Sequence, residues 1–241
     1  MGGIKTGISG QINNNIVTDG LVFYIDPAYK TSYPGTGTTV TDIEVANSGT
    51  INGASFSTTD NGIFDFDGTD DYIDFDDILD LAILSVNMWI NCDVYNSGRQ
   101  FLFGKWKNSH RAYALTLNQS GTSAGSIEAQ ISTDGGSSNT GEANVSGAID
   151  ANGTWFNVGF THDGTTLKTY VNGVLGATDT IGGAYTSGTG HVAVGTILFS
   201  NDTSPLNPFN GQIQSVQVYN RALSAGEVLQ NYQAQKERFG F

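Results

Sequence analysis

Two neighbouring segments of this chain alternate apolar and acidic residues with a period of two. Residues 63–67 read Ile-Phe-Asp-Phe-Asp, and residues 71–75 read Asp-Tyr-Ile-Asp-Phe. Because successive side chains of a β-strand point to opposite faces, this period predicts two strands, each with one buried and one wet face. The intervening residues 68–70, Gly-Thr-Asp, are typical of a turn. The pattern indicates antiparallel sheets, which commonly have one solvated face.

A two-residue turn later in the chain supports the same conclusion. Asn172 and Gly173 separate the apolar runs 167–171 and 174–177. Both residue types tolerate positive φ, which a type I′ hairpin turn requires. Similar short runs recur along the chain, and a content of 32 Gly with only 14% charged residues suits many short strands joined by tight turns. We therefore predict an all-β fold, an antiparallel jelly-roll β-sandwich of about a dozen strands.

The two ends of the chain differ from its middle. Residues 1–19 are rich in Gly and Asn and are expected to form an N-terminal arm with little structure of its own. Residues 20–223 carry the strand patterns, interrupted by a loop predicted at residues 27–53. In residues 224–241, Ser224 and Glu227 have the spacing of a capping box, which predicts a C-terminal α-helix packed on the sandwich or extending from it.

The acidic composition restricts the possible partners. A net charge of −13 without a basic patch argues against nucleic acid, and an anionic membrane surface would repel the chain. No apolar run approaches the roughly 20 residues of a membrane helix. The first ten residues lack the apolar core of a secretory signal, so synthesis in the cytoplasm is expected. The single cysteine, Cys92, lies in an apolar run and is expected to be a buried thiol.

Six stretches, taken in order, resemble the laminin-G-like branch of the concanavalin-A-like lectin and glucanase superfamily. Each stretch is weak alone, but their order and spacing over about residues 20–230 are specific for this fold. The resemblance implies a jelly-roll sandwich with a surface-binding function. The stretches are residues 20–26, 66–73, 86–90, 155–164, 170–173, and 209–213 together with 219–224.

Two of the details resemble one variant of that fold, found in structural proteins of tailed phages and in large bacterial surface proteins. They are the segment 33–39 after the first strand and the segment 219–224, Tyr-Asn-Arg-Ala-Leu-Ser, before the helix. Relatives commonly carry a Trp-x-Asp-Leu-Ser-Gly-Asn segment after the first loop. Here residues 40–46 read Val-Thr-Asp-Ile-Glu-Val-Ala instead, so whatever that segment does in relatives does not carry over.

This variant implies a virion structural protein of a tailed phage, either a capsid decoration protein or a fibre or tail component. Its N-terminal arm would contact the major capsid or tail protein, and a homo-oligomer is expected because such parts often sit on symmetry axes. The protein would be made in the host cytoplasm and located in the virion. The alternative is a carbohydrate-binding adhesion module of a bacterial surface protein. On either interpretation a host-surface glycan is an expected ligand.

Catalysis is not expected. The glucanases of this superfamily use a Glu-x-Asp-x-x-Glu strand, which places two carboxylates beside the scissile bond. The five glutamates of this chain, Glu44, Glu128, Glu142, Glu227 and Glu237, are far apart in sequence. A polysaccharide hydrolase or lyase is therefore the least favoured function, and the protein is predicted not to be an enzyme.

Nine aspartates fall between Asp60 and Asp80, which makes calcium the metal to consider. Carboxylate oxygens are the ligands that Ca²⁺ prefers, and relatives often hold one Ca²⁺ near the rim of the sandwich. Asp67, Asp70 and Asp71 flank a turn and Asp26 ends the first strand, so these four are the candidate ligands. The alternative is a solvated strand face with ordinary turn chemistry, in which no cofactor is required. The three histidines are scattered, so zinc is not expected.

Carbohydrate binding needs exposed aromatic rings that stack on sugar faces. Tyr29, Tyr33, Trp106 and Tyr185 lie in predicted loops or at strand ends and are the candidates. The alternative is that each ring packs on the rim of the sandwich. The other two tryptophans, at 89 and 155, are predicted to lie in the core.

Overall fold

The computed structural model describes residues 16–119, 121–138, 140–182 and 189–241, and most of the strands belong to two antiparallel sheets of eight strands each. The chain order of the elements is β1 (Leu21–Ile25), β2 (Thr39–Thr41), β3 (Ser48–Asn52), β4 (Ser55–Ser57), β5 (Ile63–Asp67), β6 (Tyr72–Asp74), β7 (Leu84–Cys92), β8 (Gln100–Lys107), β9 (His110–Leu117), β10 (Ile127–Ser132), β11 (Thr140–Val145), β12 (Trp155–His162), β13 (Thr166–Val171), β14 (Val174–Thr180), β15 (Val192–Val194), β16 (Ile197–Leu198), β17 (Pro205–Leu206), β18 (Asn210–Tyr219) and α1 (Ala225–Gln235). One-turn 3-10 helices occupy Thr59–Asn61 and Lys236–Phe239.

The two sheets interleave in sequence, as the predicted fold requires. The first sheet has the strand order β14-β13-β12-β7-β18-β5-β4, with β1 also paired to β18. The second sheet has the order β11-β10-β9-β8-β15-β6-β3-β2, and β16 and β17 form a separate small ribbon. Every strand pair is antiparallel. The prediction of an all-β antiparallel sandwich closed by one C-terminal helix is confirmed.

The core lies between the inner faces of the two sheets. Residues such as Phe64, Val158 and Ile213 of the first sheet meet Phe103 and Leu115 of the second in one continuous apolar cluster. Period-two alternation decides which residues contribute, because every second side chain of a strand points inward. Cys92 belongs to this cluster, and burial raises the pKa of its thiol to about 11. The thiol is therefore protonated and buried, as expected.

The two acidic strands and the two-residue turn later in the chain form as predicted. Residues 63–67 and most of 71–75 become β5 and β6, which belong to different sheets. Asn172 and Gly173 join β13 to β14 with φ angles of 49° and 77°, as a type I′ turn requires. The predicted loop at 27–53 is wrong in part, because β2 and β3 lie inside it at the edge of the second sheet. Their short, Thr-rich sequences carry too little apolar pattern to be recognised.

The helix α1 begins with the predicted capping box. The Glu227 amide donates to the Ser224 hydroxyl, and the Ser224 amide donates to the Glu227 carboxylate at 2.8 Å. Arg221 donates to that carboxylate as well, and it is the main reason why the pKa of Glu227 falls to about 2. The α-helix ends at Gln235, and its continuation to Phe239 is a 3-10 turn that stops at Gly240 with φ 84°. Among the described residues no helix is long and apolar enough to cross a membrane.

The C-terminal segment covers the outer face of the first sheet. Trp89 and Trp155 point to this face, away from the core between the sheets, and Phe239 packs against both indoles with centroid distances of 4.0 Å and 4.7 Å. The prediction that these two tryptophans lie between the sheets is therefore wrong, although both are buried. The alternation along β7 places Trp89 on the face of Asn87 and Asn91, opposite Val86, Met88 and Ile90, but the prediction followed the apolar character of the indole instead.

The start of the described chain is held by the helix. The Val17 amide donates to the Asn231 side chain at 2.8 Å, and the Tyr219 hydroxyl donates to the Val17 carbonyl at 3.0 Å. Ile16 and Val17 are buried in a small apolar cluster with Tyr219. Of the predicted N-terminal arm, residues 1–15 lie outside the described residues.

Candidate functional site

The outer face of the second sheet carries a row of polar side chains on β9, β10 and β11. In β10, Ile127, Ala129 and Ile131 point into the core, so Glu128 and Gln130 point outward. The strand register sets Glu128 opposite Asn144 of β11, and Gln130 opposite the second glutamate of the row, Glu142. The sheet thus assembles on one face residues that are far apart in sequence.

Hydrogen bonds connect neighbouring side chains of this row. The Asn144 amide donates to Glu128 Oε2 at 3.3 Å, and the Gln130 amide donates to Glu142 Oε1 at 3.3 Å. Arg99, which directly precedes β8, donates from Nη2 to Gln130 Oε1 at 2.9 Å. Gln130 therefore bridges a cation and a carboxylate, which fixes the orientation of its amide group.

A pocket of about 210 Å³ lies over this face. Its floor comes from β8 to β11, and its far wall comes from the segment around β16 and β17, which folds back over the sheet. The wall is apolar and the floor is mostly polar. The lining residues are Arg99, Phe101, Trp106, Arg111, Gln119, Gln130, Ser137, Thr140, Glu142, Ile197, Phe199 and Leu206.

A wider depression of about 590 Å³ adjoins the pocket at the end of the sheet. Arg99 and Gln119 line both, so the two form one continuous surface. The other residues of the depression are small or carry amides and hydroxyls. They are Asn96, Ser97, Gly98, Asn118, Gly121, Thr122, Ala124 and Asn207. We call the pocket and the depression together the binding surface.

The two arginines of the pocket lie close to aromatic rings. The Arg99 guanidinium is 4.1 Å from the centroid of the Phe101 ring, and the Arg111 guanidinium is 5.2 Å from Phe199 and 5.8 Å from Trp106. Burial lowers the pKa of Arg99, and nearby Glu128 opposes this effect. Since a guanidinium keeps its proton throughout the accessible pH range, both groups supply fixed positive charge to the pocket.

Glu128 lies at the edge of this arrangement and is almost fully buried. Burial is the main reason why its pKa rises to about 7, and the charge of Glu142 adds to the effect. Its Oε1 atom has no hydrogen-bond partner within the described ranges. Glu128 is therefore partly protonated near neutral pH, and its charge depends on pH in the physiological range.

The structure brings three of the four predicted calcium ligands together. Carboxylate oxygens of Asp67, Asp70 and Asp71 lie within 4.8 Å of one another. Three hard oxygen donors of this kind suit Ca²⁺. They also serve the turn itself, because Asp71 accepts from the Asp67 amide at 2.9 Å and Asp67 accepts from the Thr69 amide at 2.7 Å.

Asp26 is not part of that group, which corrects its inclusion among the calcium ligands. It is fully buried and forms two hydrogen-bonded contacts with Arg238, at 2.7 Å and 3.2 Å. Its carboxylate also accepts from the Tyr24 hydroxyl and from the Ala28 amide. These bonds occupy both carboxylate oxygens, so Asp26 joins the C-terminal segment to the sandwich.

A second group of metal-type ligands was not predicted from the sequence. His191 Nδ1 lies 3.0 Å from the Asp74 carboxylate and 3.8 Å from Asp76. The sequence gives no sign of this group, because Asp74 and Asp76 lie more than a hundred residues before His191 along the chain. The close contact to Asp74 is a hydrogen-bonded pair at the surface.

The four aromatic residues predicted to bind carbohydrate lie in different places in the structure. Trp106 lines the pocket, but it is almost fully buried and Arg111 covers its ring. Tyr33 is a core residue packed against Phe56 and Phe64, which corrects the prediction of an exposed ring. Tyr29 is half-buried and packs edge-on against Tyr24, which belongs to β1 of the first sheet. Tyr185 lies outside the described residues.

The polar residues that line the binding surface are not recognisable as a site from the sequence. Arg99, Arg111, Gln130 and Glu142 come from four separate segments, and only the strand register places them side by side. One sequence pattern was available: in residues 127–132, apolar residues alternate with Glu, Gln and Ser. That period predicts a strand whose outer face is polar, and such a face is where a hydrophilic ligand binds.

Comparisons with known structures agree with the fold. The chain is similar to domain 4 of an extracellular arabinanase from Geobacillus stearothermophilus, solved in complex with arabinotriose, at 18% identity and a TM-score of 0.65 over 88% of this chain and 98% of that one. It is also similar to the binding domain of botulinum neurotoxin serotype D, at 14% identity and a TM-score of 0.66 over 90% of this chain. It spans about half of that toxin domain, with 52% covered. At these identities the likeness concerns the fold alone.

A search of curated protein sequences finds no match to the chain. A family model does match. Residues 67–229 fit the model of the concanavalin A-like lectin/glucanases superfamily, and this range includes most strands of both sheets and the start of α1. Because the match covers well over half of the chain, the protein belongs to the concanavalin A-like lectin/glucanases superfamily.

Proposed function

We propose that this protein binds carbohydrate on the outer face of its second sheet. The observation that carries the proposal is the set of polar side chains that converge on the pocket of about 210 Å³: Arg99, Arg111, Gln119, Gln130 and Glu142 all line it. Arg99 Nε, Arg111 Nε and Gln119 Oε1 have no hydrogen-bond partner among the described residues, so the hydrogen-bonding capacity of these side chains is not used up within the protein.

The chemistry of the lining suits a sugar. Arginine side chains donate hydrogen bonds, a carboxylate accepts them, and Gln119 and Gln130 do both, which matches hydroxyl groups that also do both. Ile197 and Leu206 supply the apolar wall against which the C–H faces of a sugar ring can pack. Since Arg111 already covers Trp106, recognition relies on hydrogen bonds more than on ring stacking.

We propose binding without catalysis. Hydrolysis of a glycosidic bond generally requires two carboxyl groups that flank the bond. Glu142 lines the pocket, whereas Glu128 does not and is buried behind it. Incubation with a panel of polysaccharides is expected to release no reducing ends and no unsaturated products. Such products, lost in Glu142→Gln, would establish a hydrolase or lyase instead.

A glycan array followed by titration calorimetry tests the binding proposal. We expect hits on the array, and we expect Gln119→Ala to weaken the best hit about 10-fold, since it removes a neutral donor and acceptor that lines both the pocket and the depression. Gln233→Ala is the matched control, because Gln233 is an exposed glutamine on α1, away from the binding surface. An array without hits, with and without Ca²⁺, would overturn the proposal.

We further propose that the domain acts as part of a tailed-phage virion, as capsid decoration or as a fibre or tail component. The support is the resemblance of segments 33–39 and 219–224 to such proteins, together with the position of Val17. Asn231 and Tyr219 hold Val17 against the sandwich beside α1. We propose that the N-terminal arm contacts neighbouring copies or the major capsid or tail protein.

Mass spectrometry of purified particles tests this assignment. We expect the protein among the virion components, assembled during lytic growth in the host cytoplasm, with host-surface glycan as its ligand and no required cofactor. Its absence from particles, combined with glycan binding, would favour the alternative of an adhesion module in a bacterial surface protein. Size-exclusion chromatography with light scattering checks the expected homo-oligomer.

A further inference from the structure

Two of the four arginines in this chain have no ion-pair partner in the described structure, and both line the pocket. Arg221 pairs with Asp19 and Glu227, and Arg238 pairs with Asp26. Arg99 and Arg111 form no ion pair with any described carboxylate, although the chain contains 23 Asp and Glu against 10 Lys and Arg. In so acidic a protein, two uncompensated cations in one pocket indicate a site for an anion.

The terminal nitrogens of these two groups remain available. The Arg99 guanidinium is 4.1 Å from the Phe101 ring centroid and the Arg111 guanidinium is 5.2 Å from that of Phe199, and these contacts limit the movement of both groups. Arg99 Nη1 and both Nη atoms of Arg111 form no hydrogen bond to a described residue and are not among the buried unpaired atoms. A guanidinium edge presents parallel N–H donors that match a carboxylate or a sulfate, and such charge-assisted bonds are stronger than neutral ones.

The surrounding charges do not cancel this pair. The acidic groups that face Arg99 are Glu142, which is exposed, and Glu128, which is buried and partly protonated near neutral pH. Neither approaches an arginine within ion-pair distance. The pocket is therefore locally positive on a protein whose net charge is −13.

We infer that the bound carbohydrate is an acidic glycan, whose carboxylate or sulfate groups pair with Arg99 and Arg111. This inference rests on the proposed carbohydrate-binding function and names the class of glycan. Arg99 lines both the pocket and the adjoining depression, so the anionic group sits at their junction, and neighbouring sugars lie along the amides and hydroxyls on either side. Oligosaccharides should accordingly bind more tightly than the corresponding monosaccharides.

Pairs of glycans that differ only in charge test the inference. Each acidic glycan of the array is compared with its neutral counterpart: uronic-acid oligosaccharides with their carboxyl-reduced forms, and sulfated oligosaccharides with their desulfated forms. We expect the acidic member of the recognised pair to bind at least about 10-fold more tightly, as one charge-assisted hydrogen bond provides. Equal or tighter binding of the neutral member would overturn the inference and leave the proposed function standing. Binding of neither member in any pair would overturn both.

Arginine variants separate a charge role from a structural one. Arg111→Gln is expected to weaken the acidic glycan about 10-fold to 100-fold and to change the affinity for its neutral counterpart by less than about threefold. Arg111→Lys, which keeps the charge without the fork of donors, should be intermediate. Lys30→Gln removes one exposed charge outside the pocket and serves as the control. Equal losses for the acidic and neutral glycans in Arg111→Gln would contradict the inference.

Discussion

Asp26 and Arg238 form a buried ion pair that joins the first strand to the last helical turn. The two side chains are 0% and 7% exposed, and two N–H groups of the guanidinium donate to the two carboxylate oxygens. The Tyr24 hydroxyl and the Ala28 amide complete the bonding of Asp26. This pair closes the C-terminal segment over Trp89 and Trp155, so the outer face of the first sheet is occupied by the chain itself. The outer face of the second sheet remains for a ligand.

Removing Arg238 should destabilise the protein strongly. Arg238→Met leaves Asp26 buried and without its cation, which typically costs about 3–5 kcal/mol of unfolding free energy. Urea denaturation measures the change. Lys107→Met provides the control, because Lys107 pairs with Asp202 in a partly exposed ion pair and should cost only about 1 kcal/mol or less. Similar losses of unfolding free energy in both variants would show that the buried Asp26 carboxylate does not need the positive charge of Arg238.

Phe239→Ala should expose two tryptophans without touching the binding surface. Phe239 stacks on Trp89 and packs against Trp155, so its loss should shift the tryptophan emission to the red and lower stability by about 2–4 kcal/mol. Trp106 lies on the other sheet and should not contribute to the shift. Val45→Ala is the control, because Val45 is 61% exposed on the loop between β2 and β3 and should have a small effect. An unchanged emission spectrum in Phe239→Ala would contradict this packing.

The buried Glu128 should make stability fall as the pH rises. Its pKa is about 7 in the folded protein against a usual 4.5, so the folded state binds this proton more tightly than the unfolded state. Below pH 4.5 the carboxyl is protonated in both the folded and the unfolded state, so it does not lower the unfolding free energy. Between pH 4.5 and 7 the unfolded state loses the proton more readily than the folded state, and the unfolding free energy falls progressively. Glu128→Gln should raise the unfolding free energy at pH 8 by up to about 3 kcal/mol and leave it nearly unchanged at pH 4. Glu237→Gln is the control. A gain that is equal at both pH values would contradict a raised pKa.

Chelation tests whether the acidic turn needs a metal. The carboxylates of Asp67 and Asp71 already accept backbone hydrogen bonds that hold the turn. We therefore expect protein treated with a chelator to unfold at the same temperature as untreated protein and to bind glycan with the same affinity. A rise in melting temperature on adding Ca²⁺ to the stripped protein, absent in Asp70→Asn, would establish the calcium alternative at this turn.

The sequence is sufficient for the fold because its patterns are local. The alternation at 63–75, the turn at Asn172-Gly173 and the capping box at Ser224 each depend on residues within a few positions of one another, and each forms as predicted. The short edge strands β2 and β3 were missed because three to five Thr-, Ser- and Gly-rich residues do not show a period.

The binding surface could not be predicted in the same way, because it depends on register and on which face points outward. Trp89 shows the difficulty: its strand was predicted correctly, but its indole lies on the outer face beneath the C-terminal segment. Arg99, Gln130 and Glu142 become neighbours only through the pairing of β8 to β11. Asp26 carried the sequence features of a calcium ligand at a strand end, and its actual partner lies 212 residues away.

An NMR titration of isotope-labelled protein with the best glycan from the array tests the central claim most directly. We predict chemical-shift changes at backbone amides around Arg99, Arg111, Gln130 and Glu142, and none near Trp89 on the opposite face of the sandwich. The same titration of Gln119→Ala should require about tenfold more glycan for the same shifts. Shifts centred on the acidic turn at 67–71 or on the C-terminal segment, with the pocket amides unchanged, would contradict the assignment of the second sheet as the binding surface.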